Sequence, residues 1–304
     1  MLLLDKPSGI TSNTALMRVR RLFSAEKAGH TGTLDPLASG LLPVCFGEAT
    51  KFARFLLDAS KRYRVVVRFG VTTTTQDAEG DVVDTRPVAI SRGDVEAALT
   101  SLTGNIRQVP PAYSALKHQG RSHYEYARAG IDIPRLPRDV HVAELALVDW
   151  SVPLATLDVE CSKGTYVRTL AADLGAALGC GAHVAQLRRT AAGGFAIDDA
   201  TSFDFLEQAS PEARDQVLLP VDALLRTLPR VDVDSIGAAH LRQGRALPSA
   251  GDADQLLRAY APTGALLGVV RVSAGALLPV RMTSSEEPRG ADSLESAVSG
   301  SGFL

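Results

Sequence analysis

Twelve residues, Gly29 to Gly40 (GHTGTLDPLASG), are incompatible with an ordinary helix or a central strand. Three glycines, two threonines and a proline fall within them. Glycine opens positive φ to the backbone, and Pro36 pushes Asp35 towards an extended conformation. An amphipathic segment precedes the stretch and the apolar run Leu41–Phe46 follows it, so it is a loop pinned at both ends. With histidine neutral, Asp35 is its only charged side chain. A carboxylate on a constrained loop can be a nucleophile, a general base or a metal ligand. By residue type alone, Asp35 can equally cap a turn ahead of Pro36.

At 304 residues and 45% hydrophobic composition, the chain can bury a large domain and a small one. No apolar run reaches the length of a membrane span. Met1–Leu4 is too short for a signal peptide and runs straight into Asp5-Lys6-Pro7. Cys45, Cys161 and Cys180 are widely spaced and read as reduced thiols of a cytoplasmic protein. His118 and His123 lack a third ligand, so no metal site and no cofactor are expected. Net charge is −2, but residues 1–68 carry eleven Lys/Arg against five Asp/Glu, whereas residues 198–222 carry seven acids against Arg214. That asymmetry suits one face that meets a polyanion, and on charge alone equally suits solvated faces of opposite sign with no partner.

Thr11 or Ser12 can cap a helix whose Leu16, Val19 and Phe23 share a stripe. Glu48–Leu57 reads as another helix. Arg62–Val71 is the clearest strand: Tyr63, Val65, Val67, Phe69 and Val71 share one parity and Arg62, Arg64 and Arg68 the other. Thr72–Gly80 is a polar loop. Ser91 and Asp94 form a capping box for a helix ended by Gly104. Residues 105–138 carry six Lys/Arg, two acids and three of the six tyrosines. Basic and aromatic residues interleaved in this way suit an RNA-contacting insertion, and an ordinary surface excursion equally, with a helical piece from His123 to Arg128. Strands are expected at Val140–Trp150, Leu154–Cys161 and His183–Thr190, and a helix starting at Thr165 carries Tyr166 and Arg168 on its first turn. From Arg230 the pattern becomes one helix among short strands, and residues 283–304 read as a disordered tail.

Eight blocks give the chain a specific resemblance. They are Asp5–Ser12 (DKPSGITS), Gly29–Gly40, Gly47–Lys51 (GEATK), Lys61–Arg64 (KRYR), Asp77–Gly80 (DAEG), Val109–Lys117 (VPPAYSALK), Cys161–Thr169 (CSKGTYVRT) and Leu187–Arg189 (LRR). In this order they resemble the TruB family, bacterial tRNA pseudouridine synthases that act on uridine 55 of the T loop. The resemblance covers residues 2–282. One departure is Thr74, where members often carry an acid. It implies an α+β architecture: a pseudouridine-synthase fold with a mixed, largely antiparallel sheet and flanking helices over residues 1–229, and a small β-rich PUA-like domain over 230–282.

The resemblance also implies the chemistry. Uridine's N1–C1′ bond breaks, the base turns, and it rejoins the ribose through C5, without cofactor or metal. Asp35 is the implied nucleophile and Arg168 its cationic partner. Tyr63 is implied to pack on the target base and to take the C5 proton. Tyr166 and Leu187 line the pocket, His30 lies near flipped nucleotides, Asp77 orders the site or contacts flipped bases, and Lys51 contacts substrate. The implied partner is tRNA, through its T arm and acceptor stem, with the enzyme a cytoplasmic monomer away from membranes. Residue types alone leave two rivals, a glycosidase using Asp35 and Asp77 and a non-catalytic RNA binder. An aspartyl-phosphate loop is disfavoured, because Gly29 and His30 stand where its aspartate would precede Thr-Gly-Thr.

Overall fold

The computed structural model describes residues 1–249, 251 and 254–284. Contacts divide the chain into two compact units, one of Met1–Gly47 with Ala53–Leu219, the other of Glu48–Phe52 with the chain from Pro220 onward.

The first unit opens with β1 (Leu2–Lys6) and α1 (Ser12–Leu22). Thr11 is the N-cap of α1, accepting from the Thr14 N–H at 3.0 Å, and Ala15 and Val19 bury its apolar stripe. Short β2 (Ala28–His30) leads into the Asp35 loop, and β3 (Ser39–Phe46) leaves it. The helix expected over Glu48–Leu57 is instead a 3₁₀ turn, Gly47–Lys51, and the four-residue α2 (Arg54–Leu57). Ala49, Phe52 and Leu56 are buried, the i, i+3, i+7 spacing that made one helix the expectation.

Strand β4 (Lys61–Phe69) keeps the expected parity, with Val65, Val67 and Phe69 buried. It stops two residues early because Gly70 turns the chain at φ +84°. Val71 then starts the hairpin β5 (Val71–Thr73) and β6 (Val82–Thr85). The Ser91/Asp94 capping box opens α3 (Arg92–Ser101) as expected.

Residues 105–108 do not belong to an insertion. They lie in β7 (Gly104–Gln108), paired antiparallel in the main sheet, so the excursion proper begins at Val109. It holds the two-residue strands β8 (Lys117–His118) and β9 (Arg121–Ser122), then α4 (His123–Arg128) with its own Ser122/Glu125 capping box. The chain re-enters the sheet as β10 (Arg138–Ser151) and β11 (Leu154–Cys161). Helix α5 (Val167–Ala177) begins two residues after Thr165, because Gly164 at φ +83° and an extended Tyr166 delay it. After β12 (Ala182–Ala192) come β13 (Phe195–Ala196), β14 (Thr201–Ser202), α6 (Phe203–Gln208) and α7 (Pro211–Gln216).

The sheet runs β14-β1-β3-β12-β4-β11-β10-β7, with β2 on β3 and β13 on β12. Only the β1–β14 and β3–β12 pairings are parallel. Leu4, Val44, Val65, Val142, Leu157 and Leu170 belong to one continuous core. Burying such side chains contributes about 1.5–3 kcal/mol each. Strands β4 and β12 meet at its centre, bringing Tyr63, Leu187 and Arg189 beside the Asp35 loop.

The second unit has β15 (Arg230–Asp232), α8 (Ser235–Arg242), β16 (Leu247–Pro248), β17 (Gln255–Tyr260), β18 (Leu266–Ser273) and β19 (Ala276–Met282). Its sheet order is β15-β17-β18-β19-β16, around buried Leu241, Leu267 and Val270. The Tyr260 hydroxyl donates to Asp222 Oδ2 at 2.8 Å, which ties the segment before β15 to this sheet. Of the expected tail, Thr283 and Ser284 are described and 285–304 lie outside the described residues.

Candidate active site

Three clamps hold the Asp35 loop from below. Ser12 Oγ accepts from the Leu34 N–H at 2.8 Å and donates to the Leu34 carbonyl at 3.0 Å, both buried. The Gly9 N–H donates to the Pro36 carbonyl at 2.8 Å. The third clamp is Arg189, only 1% exposed, whose Nε donates to Leu41 O at 2.7 Å and Nη2 to Gly32 O at 3.1 Å. Gly40 makes that approach possible: it sits at φ +103°, and a Cβ there would lie 2.3 Å from Arg189 O. Fully buried Lys6 braces the turn behind Gly9 by donating to Pro7 O at 2.7 Å and Ile10 O at 2.8 Å. Burial lowers its pKa to about 8.

The loop delivers Asp35 to an open cleft of about 1040 Å³. Arg168, in the first turn of α5, meets it there. Its Nη2 donates to Asp35 Oδ1 at 3.1 Å, and its Nε lies 2.9 Å from Asp35 Oδ2 and 3.6 Å from Asp77 Oδ2. The guanidinium also donates to Thr75 O at 2.9 Å and Tyr113 O at 2.8 Å. Two carboxylates thus share one buried cation, but they are not equivalent. The Asp77 side chain is 4% exposed and accepts from Thr75 Oγ1 and the Glu79 N–H, while that of Asp35 is 34% exposed. Asp35 is therefore the one open to a substrate, and Asp77 is part of its mounting.

Burial in the cleft pushes the Asp35 pKa above the ordinary carboxylate value. The Arg168 guanidinium opposes that rise and the Asp77 charge adds to it. Burial thus favours the neutral acid and the guanidinium favours the anion, and the anion is the form suited to attack on carbon or to proton abstraction.

Around Asp35 the cleft is lined by Tyr63, Asp77, Tyr166, Leu187 and His30, all brought together as expected. Tyr63 is half-buried on β4, its pKa raised by burial. Leu187 faces it from β12, paired with Val65. Tyr166 stands at the N-cap of α5, its N–H donating to Gln108 Oε1 at 3.1 Å. Burial, then the Arg189 charge, lowers the pKa of His30, so its imidazole is neutral. Lys51 belongs to the second unit, where its ammonium is held by Glu48 Oε2 at 2.8 Å, three residues back in the 3₁₀ turn.

Sequence reasoning passed over Ser12, Thr75, Tyr113 and, as a loop clamp, Arg189. Ser12 and Arg189 lay inside quoted motifs, but their partners are 22 and more than 140 residues away. Tyr113 and Tyr124, on the excursion, line the cleft and pack edge-to-face at 5.9 Å.

Residues 20–167 match the TruB family pseudouridylate synthase N-terminal domain. Residues 168–226 match the tRNA pseudouridylate synthase B C-terminal domain, and 229–283 the pseudouridine synthase II TruB C-terminal region. A tRNA pseudouridine synthase B of Thiobacillus denitrificans is 54% identical over 285 residues, 94% of this chain and 96% of that one. One of Burkholderia mallei is 53% identical over 290 residues, 93% of this chain and 96% of that one. Among solved structures, a Cbf5-Nop10-Gar1 complex matches with TM-score 0.70 at 24% identity, covering 93% of this chain and 83% of that one. An H/ACA RNP bound to a substrate RNA containing 2′-deoxyuridine matches with TM-score 0.71 at 22% identity, over 94% and 85%. These last two likenesses are of fold.

Proposed function

Because the chain belongs to the TruB family and so isomerises uridine to pseudouridine in tRNA, we propose that it acts at position 55 of the T loop through Asp35. The observation that carries the assignment is the Asp35–Arg168 pair, a substrate-facing carboxylate on a buried guanidinium, with Tyr63 and Tyr166 lining the same cleft.

The target uridine lies inside a folded arm and must be extruded. Flipping costs a few kcal/mol, and each base stacked on an aromatic ring returns about 1–3 kcal/mol. Tyr63, Tyr113 and Tyr166, all lining the cleft, supply such rings. With the base seated, Asp35 attacks carbon or removes a ribose proton, the N1–C1′ bond breaks, and the base turns within the cleft. Tyr63 takes the C5 proton after the new bond forms. Arg168 favours the anionic form of Asp35 until it reacts and again once it is released, and Leu187 closes the apolar side.

The excursion after Gln108 covers the bound arm. Its arginines support that reading: Arg128 stacks over Tyr124 at 5.3 Å and Arg121 over Tyr126 at 5.1 Å, pairing charge for phosphate with rings for bases. The β-rich unit from residue 230 to 282 is assigned to the acceptor stem as a PUA-like module. The enzyme acts as a monomer in the cytoplasm, a setting supported by three buried, unpaired cysteines. No helix among the described residues is long and apolar enough to cross a membrane.

Incubation with an unmodified tRNA transcript, followed by nucleoside mapping, tests the assignment. Pseudouridine at position 55, and none in a transcript carrying cytidine there, is expected. Release of free uracil, or modification only at other positions, contradicts it.

A further inference from the structure

Arg189 is a buried cation whose charge the loop clamp does not explain. Two carbonyls, Leu41 O and Gly32 O, accept from it. Among the described residues no carboxylate lies within ion-pair distance. An unpaired guanidinium at 1% exposure is costly, and a neutral donor would hold two carbonyls at less cost. Its cross-strand partner on β4 is Tyr63, and both side chains line the cleft beside Asp35.

We infer that Arg189 is the positioning residue for Tyr63, orienting the phenol at the target base and stabilising its ionised form when the C5 proton is removed. This rests on the reading of Tyr63 as the base. In that step the C5–H bond breaks, its proton passes to the phenolate oxygen, and its electron pair re-forms the C5=C6 double bond. N1, freed of the ribose, takes up a proton, which balances through solvent the one the phenol gave up on ionising.

The groups around the pair agree with this assignment. Tyr63 is faced by Arg189, by the Cys161 thiol from β11 and by Asp35; of these only Arg189 favours the phenolate. Arg189 in turn is faced by Tyr63, Lys6, Lys61 and His30. Burial lowers the pKa of each of these three bases, leaving Arg189 as the charge that persists as pH rises.

The test uses full-length Arg189→Met and Arg189→Lys beside Tyr63→Phe. Melting temperature, tRNA Kd, the pH dependence of single-turnover rate, and the rate ratio for tRNA carrying protium or deuterium at uridine C5 are measured. Arg189→Met is expected to lose about 10²-fold in rate, the scale of one acid–base contribution, with Kd little changed. The rise of its rate with pH moves upward, and its deuterium effect exceeds that of the wild type. Arg189→Lys, which keeps a charge and folds under a milder change, falls between. A clamp alone would lower rate without altering the isotope ratio or the pH profile in either variant, and that result overturns the proposal. If Tyr63→Phe turns over like the wild type, the reading of Tyr63 as base is wrong. A dead Tyr63→Phe beside Arg189 variants with wild-type isotope ratios leaves that reading standing and rejects the role of Arg189.

Discussion

Ser12 makes two hydrogen bonds to a single distant residue, Leu34, accepting from its N–H at 2.8 Å and donating to its carbonyl at 3.0 Å. Leu34 immediately precedes Asp35, so one hydroxyl in the first turn of α1 fixes the backbone that aims the carboxylate. Ser12→Ala leaves a buried N–H and a buried C=O without partners, each costing about 1–3 kcal/mol. Thermal melting should fall accordingly, and kcat should drop more than tRNA affinity. Unchanged kcat at 25 °C would show that the loop is held without this clamp.

Arg168 sets the acid limb of the pH–rate profile. On the proposed role of Asp35 the reaction needs its ionised form, and the guanidinium opposes the upward push of burial on its pKa. Arg168→Ala removes that opposition, so the pKa rises further and activity is lost at a higher pH as the solution is acidified. Single-turnover rates measured across the acidic range check this. Arg168→Lys restores charge without the fork and should return part of the limb but not the full rate.

Gly40 on β3 pairs with Arg189 on β12. Gly40→Ala places a Cβ 2.3 Å from Arg189 O at φ +103°, so overpacking of about 1–3 kcal/mol adds to the backbone strain. Chemical denaturation should show a lowered midpoint with an unchanged slope. Ala tolerated at wild-type stability would mean the strands do not meet this tightly.

Phosphate binding by the excursion should appear in the salt dependence of tRNA affinity. Arg121 and Arg128 stack on tyrosines and have no carboxylate within ion-pair distance among the described residues. Arg121→Gln with Arg128→Gln should weaken tRNA binding and flatten the plot of log K against log salt by about 0.7–0.9 for each phosphate left without its cation. An unaltered slope would remove these arginines from the interface.

Local chemistry made much of this molecule legible in its sequence. The Ser91/Asp94 capping box, the parity of β4 and the Gly-rich character of the Asp35 loop depend on neighbours within a few residues, and each has its structural counterpart. What escaped depends on long-range approach. No local rule buries the ammonium of Lys6 or the guanidinium of Arg189; carbonyls supplied by turns and by a neighbouring strand make those sites tolerable. The helix expected over Glu48–Leu57 is divided into a 3₁₀ turn and α2, although Ala49, Phe52 and Leu56 keep the i, i+3, i+7 spacing of a buried helical stripe, so periodicity did not reveal the break. Lys51 was assigned to the site by its motif alone, and its ammonium pairs with a glutamate three residues away in the second unit.

The most direct measurement is pseudouridine formation by Asp35→Asn on an unmodified tRNA transcript, with tRNA affinity determined in parallel. Asparagine keeps the shape and can still accept from Arg168, but carries no charge and is a far poorer nucleophile and base. The expected result is product reduced to background with Kd within a few-fold of the wild type. Product formed at a rate near wild type would contradict the assignment of the chemistry to this carboxylate.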